Sequence, residues 1–428
     1  MTKIALTTKY SAYNFGAMLQ TYALQKTIKK LGAECFVVDA DRQKRKELMP
    51  WSSPGLIIQN IFYLLHKDEL QTGYERFDQF MASFSLTSKY DNYDELKGTP
   101  PDADVYLCGS DQVWNPLDVR EEYFLRYAPE DKVRASYAAS MGISYMPEGT
   151  KRIWNEYLWD IDYISVREKT AKKLIAEMSG RDAYVHVDPV LLLSPQEWVS
   201  EAIKPNYDKP YIFCYVLYRP DWLNKWLKKL HKETGKDIVV ISSDAYRNIF
   251  HTKMVRNAGP REMLGWLQDA DFVISSSFHG VALSIANRKP FYAIVNSNAP
   301  ARITDLLSTF ELTDRIINKN HDCKLTQINY KRPCEIQAKE QIRSFDYLKF
   351  LINEPEKVKF KEIKKPKLTG TIACIGDKCT GCTVCAYVCP TKAITMKKND
   401  EGFKYPSIDE EKCIKCSKCL KFCHTLEN

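Results

Sequence analysis

Eight of the chain's fourteen cysteines fall in its last 50 residues, and their spacing constrains the fold more than any other feature. They read Cys379-x2-Cys382-x2-Cys385-x3-Cys389-Pro390, then Cys413-x2-Cys416-x2-Cys419-x3-Cys423. Three thiolates at this spacing can wrap one face of an iron–sulfur cube, and the fourth ligand must come from elsewhere. Zinc knuckles use pairs of cysteines and have no need of a third and fourth in each run. Disulfides are rare in a reducing compartment. The tail therefore reads as a separate small module built around inorganic clusters.

The duplicated run resembles the bacterial two-cluster ferredoxin pattern. That resemblance implies two 4Fe-4S clusters in a small α+β ferredoxin-like domain over residues 371–428. In this pattern each run's fourth cysteine serves the other cluster. Carried over, Cys379, Cys382, Cys385 and Cys423 hold one cluster, and Cys413, Cys416, Cys419 and Cys389 the other. His424 stands where proline is usual, which removes no ligand. Cys35, Cys108, Cys214, Cys323, Cys334 and Cys374 show no ligand spacing and read as small hydrophobes.

The preceding residues are too many for one domain at roughly 150 residues each. Ile4 to Thr8 is a short apolar strand, followed by a loop through Asn14 and Gly16 and an amphipathic helix from Ala17 to Leu31. Gly32 closes that helix, and Cys35 to Val38 resumes as a strand, a βαβ start that implies a parallel sheet. Asp104 to Cys108 is another buried strand. Later the alternation is strict: strands at Tyr211–Leu217, Asp237–Ser242, Asp271–Ser276 and Pro290–Val295 are separated by helices at Asp221–Thr234, Arg261–Gln268 and Phe278–Ala286. Strict alternation marks a doubly wound layer. The expected architecture is α/β, with two Rossmann-like halves at 1–185 and 186–350 facing one another across a cleft.

A linker is expected at 351–370, where Lys357, Lys359, Lys361, Lys364, Lys365 and Lys367 sit beside Pro355 and Pro366. The net charge of +8 is too dilute to predict nucleic-acid binding. No apolar run reaches the roughly 20 residues of a bilayer span, and the N-terminus lacks the pattern of a secretion signal. A cytoplasmic protein is expected. The stretch Arg42 to Phe80 carries basic residues, Trp51 and an apolar segment. It fits either a helix packed over the first half or one lying on the inner membrane surface, so membrane contact is at most peripheral.

Polar residues gather at strand ends, where open α/β sheets bind ligands. Gly109-Ser110-Asp111-Gln112 follows one strand, and Ser275-Ser276-Ser277-Phe278-His279-Gly280 leads from another into a helix. Free N–H groups and a positive dipole end make such a helix start suitable for an anion, and His279 there could protonate a reacting group. Arg167, after the strand Tyr163–Val166, and Arg302, opening a later helix, are the residue type that clamps carboxylates and phosphates. A surface pair of Arg167 with Glu168 is the plainer alternative.

Five phrases occur in order: Tyr13-Asn14-Phe15-Gly16-Ala17-Met18-Leu19-Gln20, Gly109-Ser110-Asp111-Gln112-Val113-Trp114-Asn115-Pro116, Ser165-Val166-Arg167-Glu168, Asp188-Pro189-Val190-Leu191-Leu192 and Ser277-Phe278-His279-Gly280. Together they resemble the polysaccharide pyruvyl transferase family over about residues 3–318. The resemblance implies a glycosyltransferase-B-like pair of Rossmann domains, phosphoenolpyruvate as donor, and a sugar or lipid-linked oligosaccharide as acceptor. It makes His279, Arg167 and Asp111 catalytic and places Asn14, Gly16, Ser110, Ser277 and Arg302 in donor or acceptor binding. Better-known members carry Arg-Leu-His where this chain has Ser277-Phe278-His279, so the histidine is kept and an arginine is lost. Ketal transfer moves no electron, yet the tail carries ligands for two clusters. The rival expectation is therefore an iron–sulfur oxidoreductase or electron carrier with a redox partner protein, using the α/β cleft for its substrate. Clusters that are structural or sense oxygen form a third.

Overall fold

The computed structural model describes the chain except residues 12, 41–53, 117, 147, 243–248, 297–300, 354, 359–378, 380, 382, 399–403, 415–418 and 420–428. In chain order the first half contains β1 (Lys3–Thr7), α1 (Phe15–Lys30), β2 (Glu34–Val37), α2 (Pro54–Leu65), α3 (Lys67–Met81) and α4 (Tyr93–Gly98). It continues with β3 (Val105–Cys108), β4 (Val133–Ser136), α5 (Glu148–Leu158), β5 (Ser165–Val166), α6 (Lys169–Ser179) and β6 (Tyr184–Val185). The second half opens with α7 (Pro195–Glu201), β7 (Tyr211–Tyr215), α8 (Leu223–Thr234), β8 (Asp237–Ile241) and β9 (Lys253–Val255). Then come α9 (Pro260–Asp269), β10 (Phe272–Ser275), α10 (Phe278–Ala286), β11 (Phe291–Ala293), α11 (Ala301–Thr309) and α12 (Lys331–Asn353). The tail holds α13 (Val384–Tyr387) and a hairpin, β12 (Ile394–Lys398) with β13 (Lys404–Ile408).

The two α/β halves are as expected. One sheet has the order β2-β1-β3-β4 and the other β11-β10-β7-β8-β9, with parallel pairing throughout both. Strand side chains alternate between faces. Thus Ile4 and Leu6 face one apolar cluster while Ala5 faces another, and Phe213 and Tyr215 face that first cluster while Ile212 and Cys214 face a third. The cluster that takes Leu6 and Phe213 runs through both halves, so the inner faces share one core.

Strand order reverses between β1 and β3 in the first sheet and between β7 and β10 in the second. Crevices open at the carboxyl ends of strands at such reversals. The turn Gly109–Asp111 leaves β3 at one crevice and Ser276–Ser277 leaves β10 at the other, so both polar turns lie at switch points.

Several elements are not evident from periodicity. α12 ties the halves together: Gln337 Nε2 donates to Leu191 O at 2.9 Å, and near the other end Tyr347 Oη donates to Ser136 O at 2.9 Å. Lys357 is anchored rather than solvated, 3.0 Å from the buried Asp162 carboxylate; Lys359, Lys361, Lys364, Lys365 and Lys367 lie outside the described residues. Of the Arg42–Phe80 stretch, α3 packs through Leu70, Tyr74, Phe77 and Phe80, which favours the packed reading for that helix. Ile61, Leu64 and Leu65 of α2 stay exposed. Among the described residues no helix is long and apolar enough to cross a membrane. The second apolar cluster of the first half continues into Cys385, Ile394 and Cys419, so the tail's core is contiguous with it.

Candidate functional site

Asp188 is the centre of the cleft. Its side chain is fully buried, and Oδ2 accepts from Arg167 Nη1 at 2.7 Å and from Ser110 Oγ at 3.0 Å. Oδ1 accepts the Val190 N–H at 3.1 Å, capping a short turn that begins at Pro189. His279 Nε2 stands 3.5 Å from Oδ2. Burial alone would raise this carboxyl, but the charges of His279 and Arg167 hold it well below the usual carboxylate range.

Arg167 leaves β5 directly into this network. Its Nε donates to Glu168 Oε1 at 3.1 Å, and its guanidinium carbon lies 3.8 Å from the centre of the Phe278 ring. Burial opposes its charge, but Glu168, Asp188 and Asp111 more than offset that and raise its basicity. Glu168 also accepts from Ser140 Oγ at 2.6 Å. The Arg167–Glu168 pair therefore exists but is buried, not a surface pair.

Arg302, near the start of α11, meets Gln112: with the Gln112 amide turned so that its oxygen faces the guanidinium, that oxygen accepts from both terminal nitrogens. Burial, followed by the nearby charge of Arg167, lowers the basicity of Arg302. Asp111 adopts a left-handed backbone, φ 74°, and accepts from the Gln112 N–H at 2.8 Å.

Gly16 and His279 join the halves. Gly16 lies in the first turn of α1, where Asn14 Oδ1 accepts its N–H at 2.9 Å and that of Ala17 at 3.1 Å. A Cβ on Gly16 would fall 2.0 Å from His279 Nδ1, so only glycine lets the imidazole lie there. Ser277 caps α10 through the Gly280 N–H.

The structure thus brings Ser110, Arg167 and His279 together on Asp188, sets Gly16 against His279, and links Arg302 to the Asp111 turn through Gln112. Asn14 is an exposed helix cap outside this network. Sequence reasoning gave no role to Asp188, Glu168, Gln112 or His186, although three of the four lie inside the recognised phrases.

A cavity of about 470 Å³ opens beside the network, lined by Arg167, His186, Asp188, Phe278, Arg302 and Arg343 among others. Two buried nitrogens of residues that line it make no hydrogen bond to the described residues, Arg167 Nη2 and Arg302 Nε, while His279 Nε2 has the 3.5 Å approach to Asp188. Glu168 Oε2 is a buried acceptor that likewise makes none to the described residues. Unmade hydrogen bonds of buried polar groups are costly, which makes these atoms the ones a bound group could satisfy.

In the tail, Cys379 Sγ accepts the Gly381 N–H at 3.4 Å and Cys389 Sγ the Ala393 N–H at 3.2 Å. Sulfurs that accept backbone N–H bonds suit thiolate ligands of an iron–sulfur cluster. Cys382, Cys416 and Cys423 lie outside the described residues. Among the described residues no three ligating side chains converge as a metal site. Cys35, Cys108, Cys214 and Cys323 are buried and unbridged, and Cys374 lies outside the described residues. Burial pushes the Cys35 thiol up to about 12, which makes it inert.

Comparison with known proteins gives two family matches. Residues 14–298, more than half of the chain, match the family described as polysaccharide pyruvyl transferase. Residues 378–426 match a 4Fe-4S dicluster domain. An uncharacterised polyferredoxin-like protein of Methanocaldococcus jannaschii is 40% identical over 74 residues, covering 14% of this chain and 44% of its own length. The chain thus spans less than half of that relative. Among solved structures, S. aureus MnaA with UDP shares 14% identity, covers 83% of this chain and 92% of its own, and has a TM-score of 0.45. M. jannaschii UDP-GlcNAc 2-epimerase with UDP-GlcNAc and UDP shares 12% identity, covers 81% and 99%, and has a TM-score of 0.42.

Proposed function

The chain belongs to the polysaccharide pyruvyl transferase family, and from that premise we propose that its cleft moves the pyruvyl group of phosphoenolpyruvate onto a sugar of a surface polysaccharide or of its lipid-linked precursor. The observation that supports this reading is the pair of buried guanidinium nitrogens, Arg167 Nη2 and Arg302 Nε, that make no hydrogen bond to the described residues. A ligand bearing a carboxylate and a phosphate supplies the acceptors they lack.

In this reading Arg167 and Arg302 hold the donor's anionic groups. Arg302 takes the part of the arginine missing before Phe278. His279, oriented by Asp188, protonates C3 of the enol, which makes C2 electrophilic. A sugar hydroxyl adds to C2 and gives its proton to Asp111. The C2–O bond to phosphate breaks, and a second hydroxyl closes the ketal. One proton goes to C3, two come off hydroxyls and one leaves on the phosphate, so the reaction balances without an electron. Ser110 and Ser277 fix the geometry, through Asp188 and the α10 cap respectively. Pre-set donors around a buried anion supply most of the rate.

The tail in this reading holds two 4Fe-4S clusters on the eight cysteines of its duplicated run. They supply one-electron chemistry to a redox partner protein, or report the redox state of the surroundings. Neither role enters the transfer itself.

The test is anaerobic incubation of the reconstituted protein with phosphoenolpyruvate and a panel of lipid-linked and nucleotide-linked sugars, following phosphate release with clusters oxidised and then reduced. Sugar-dependent release that disappears in Arg302→Gln supports the reading. Release in neither state, with clusters bleached by an added metabolite, overturns it in favour of an electron-transfer protein.

A further inference from the structure

His186 is a second imidazole of the cleft, and the transferase reading leaves it without a task. It follows β6, is 4% exposed, and lines the same cavity as Arg167 and Arg302. Its ring sits in an aromatic box, stacked 5.8 Å from Tyr137 and 5.9 Å from Tyr184, with Tyr347 at 4.7 Å.

The hydrogen bonds around it fix its tautomer. His186 Nδ1 lies 2.8 Å from Ser165 Oγ. That hydroxyl oxygen already accepts the Ala138 N–H at 3.0 Å. Ser165 is completely buried, and among the described residues its hydroxyl hydrogen finds an acceptor only at Nδ1. Ser165 therefore donates, Nδ1 accepts, and the ring's one proton is on Nε2. Nε2 makes no hydrogen bond to the described residues, and it belongs to the ring edge away from Ser165, the part left to line the cavity. Burial and the charge of Arg343 keep the ring neutral, so it is a fixed neutral donor and not a proton shuttle.

We infer that His186 is a ligand-binding residue of the cleft, whose Nε2–H donates to a carboxylate or phosphate oxygen of the anion held by Arg167 and Arg302. The inference rests on the anionic-donor reading of that cleft and adds to it a contact from outside the recognised phrases. A neutral donor held by Ser165 and three tyrosines is preorganised, and it adds an oriented bond without adding charge to a site already rich in arginine. A role purely in packing accounts for the aromatic box but not for the orientation forced by Ser165.

The experiment uses the full chain with clusters in place and phosphoenolpyruvate as probe, with inorganic phosphate as a shorter one, titrated by calorimetry. His186→Phe keeps an aromatic ring in the box and removes Nε2–H. His186→Gln retains an N–H donor, and circular dichroism checks that both fold. Loss of one hydrogen bond to a charged oxygen predicts phosphoenolpyruvate binding about tenfold or more weaker in His186→Phe, with partial recovery in His186→Gln. In wild-type protein labelled with ¹⁵N-histidine, the Nε2 resonance moves on adding phosphoenolpyruvate, which a packing role would not produce. If His186→Phe binds within twofold of wild type while Arg302→Gln does not bind, the inference falls and the cleft reading stands. If wild type binds neither probe, both fall.

Discussion

Gly16→Ala tests the closest approach between the two halves. The added methyl would sit 2.0 Å from His279 Nδ1, 2.4 Å from its Cγ and 2.8 Å from its Cβ. Turning the imidazole relieves the first two contacts. Cβ is fixed by the backbone, so α1 and α10 must also part slightly. Overpacking of this kind costs about 1–3 kcal/mol. The better helix propensity of alanine returns up to about 1 kcal/mol, and the Asn14 cap is untouched. The net loss of stability is about 0–3 kcal/mol. The same movement takes Nε2 away from Asp188, so the proposed pyruvyl transfer should fall by the roughly 10²–10⁴-fold that a positioned acid supplies.

A double-mutant cycle makes the argument specific. In His279→Ala the ring atoms are gone, and the methyl of Gly16→Ala meets only Cβ. The 2.8 Å approach to that Cβ remains, so Gly16→Ala should cost less than in wild type but not nothing, giving a coupling energy of about 1 kcal/mol. Urea unfolding of the four proteins, followed by tryptophan fluorescence, measures it. Costs that simply add in the double variant would refute the packing of His279 on Gly16 and the positioning derived from it.

Other consequences follow from the same network and from the tail. Burial, then the charge of Arg343, pushes the His186 imidazole from 6.5 down to about 4. Because the folded-state value is the depressed one, this group's contribution to stability is whole above pH 6.5 and is lost as pH falls toward 4. That difference corresponds to about 3 kcal/mol; urea midpoints should fall across this window in wild type and less steeply in His186→Phe, and equal slopes would contradict it. Asp188→Asn strips Arg167 and His279 of their shared carboxylate and should cost about 3–5 kcal/mol, measured by the same unfolding, whereas a loss below about 1 kcal/mol would mean that Glu168 alone compensates Arg167. Cys389→Ser should halve both the iron content and the visible cluster absorbance of the anaerobically purified protein, and full iron content would remove Cys389 from the ligand set.

The sequence made the fold legible where local rules decide. Alternating strands and helices after Tyr211 correspond to β7 to β11 within a few residues, because buried parallel strands are short apolar runs bounded by turns. β4 carries Arg134 inside four residues, β9 is three residues long, and α12 mixes charges through its apolar stripe. In these elements tertiary contacts, not periodicity, decide the structure. Arg134, for example, donates through Nη2 to the Ala128 carbonyl at 2.5 Å, a partner that no spacing rule supplies.

The site divides in the same way. Arg167, His279, Ser110 and Arg302 stand at strand ends or helix starts, and such positions can be found by counting along the chain. The residue that unites them cannot. Asp188 draws its partners from Ser110, Arg167, Val190 and His279, and only the sheet order brings those segments together. His186 is harder still. A histidine between two valines at the exit of a short strand reads as core, and a core imidazole is what Ser165 and the three tyrosines make of its Nδ1 edge. Its other edge gains meaning only by subtraction, because His186 lines the same cavity as Arg167 and Arg302 and its Nε2 makes no hydrogen bond to the described residues. Guanidinium nitrogens left without partners among the described residues, beside one cavity, are a property of the assembled cleft. The proposed anion binding rests on that property and not on any one segment of the sequence.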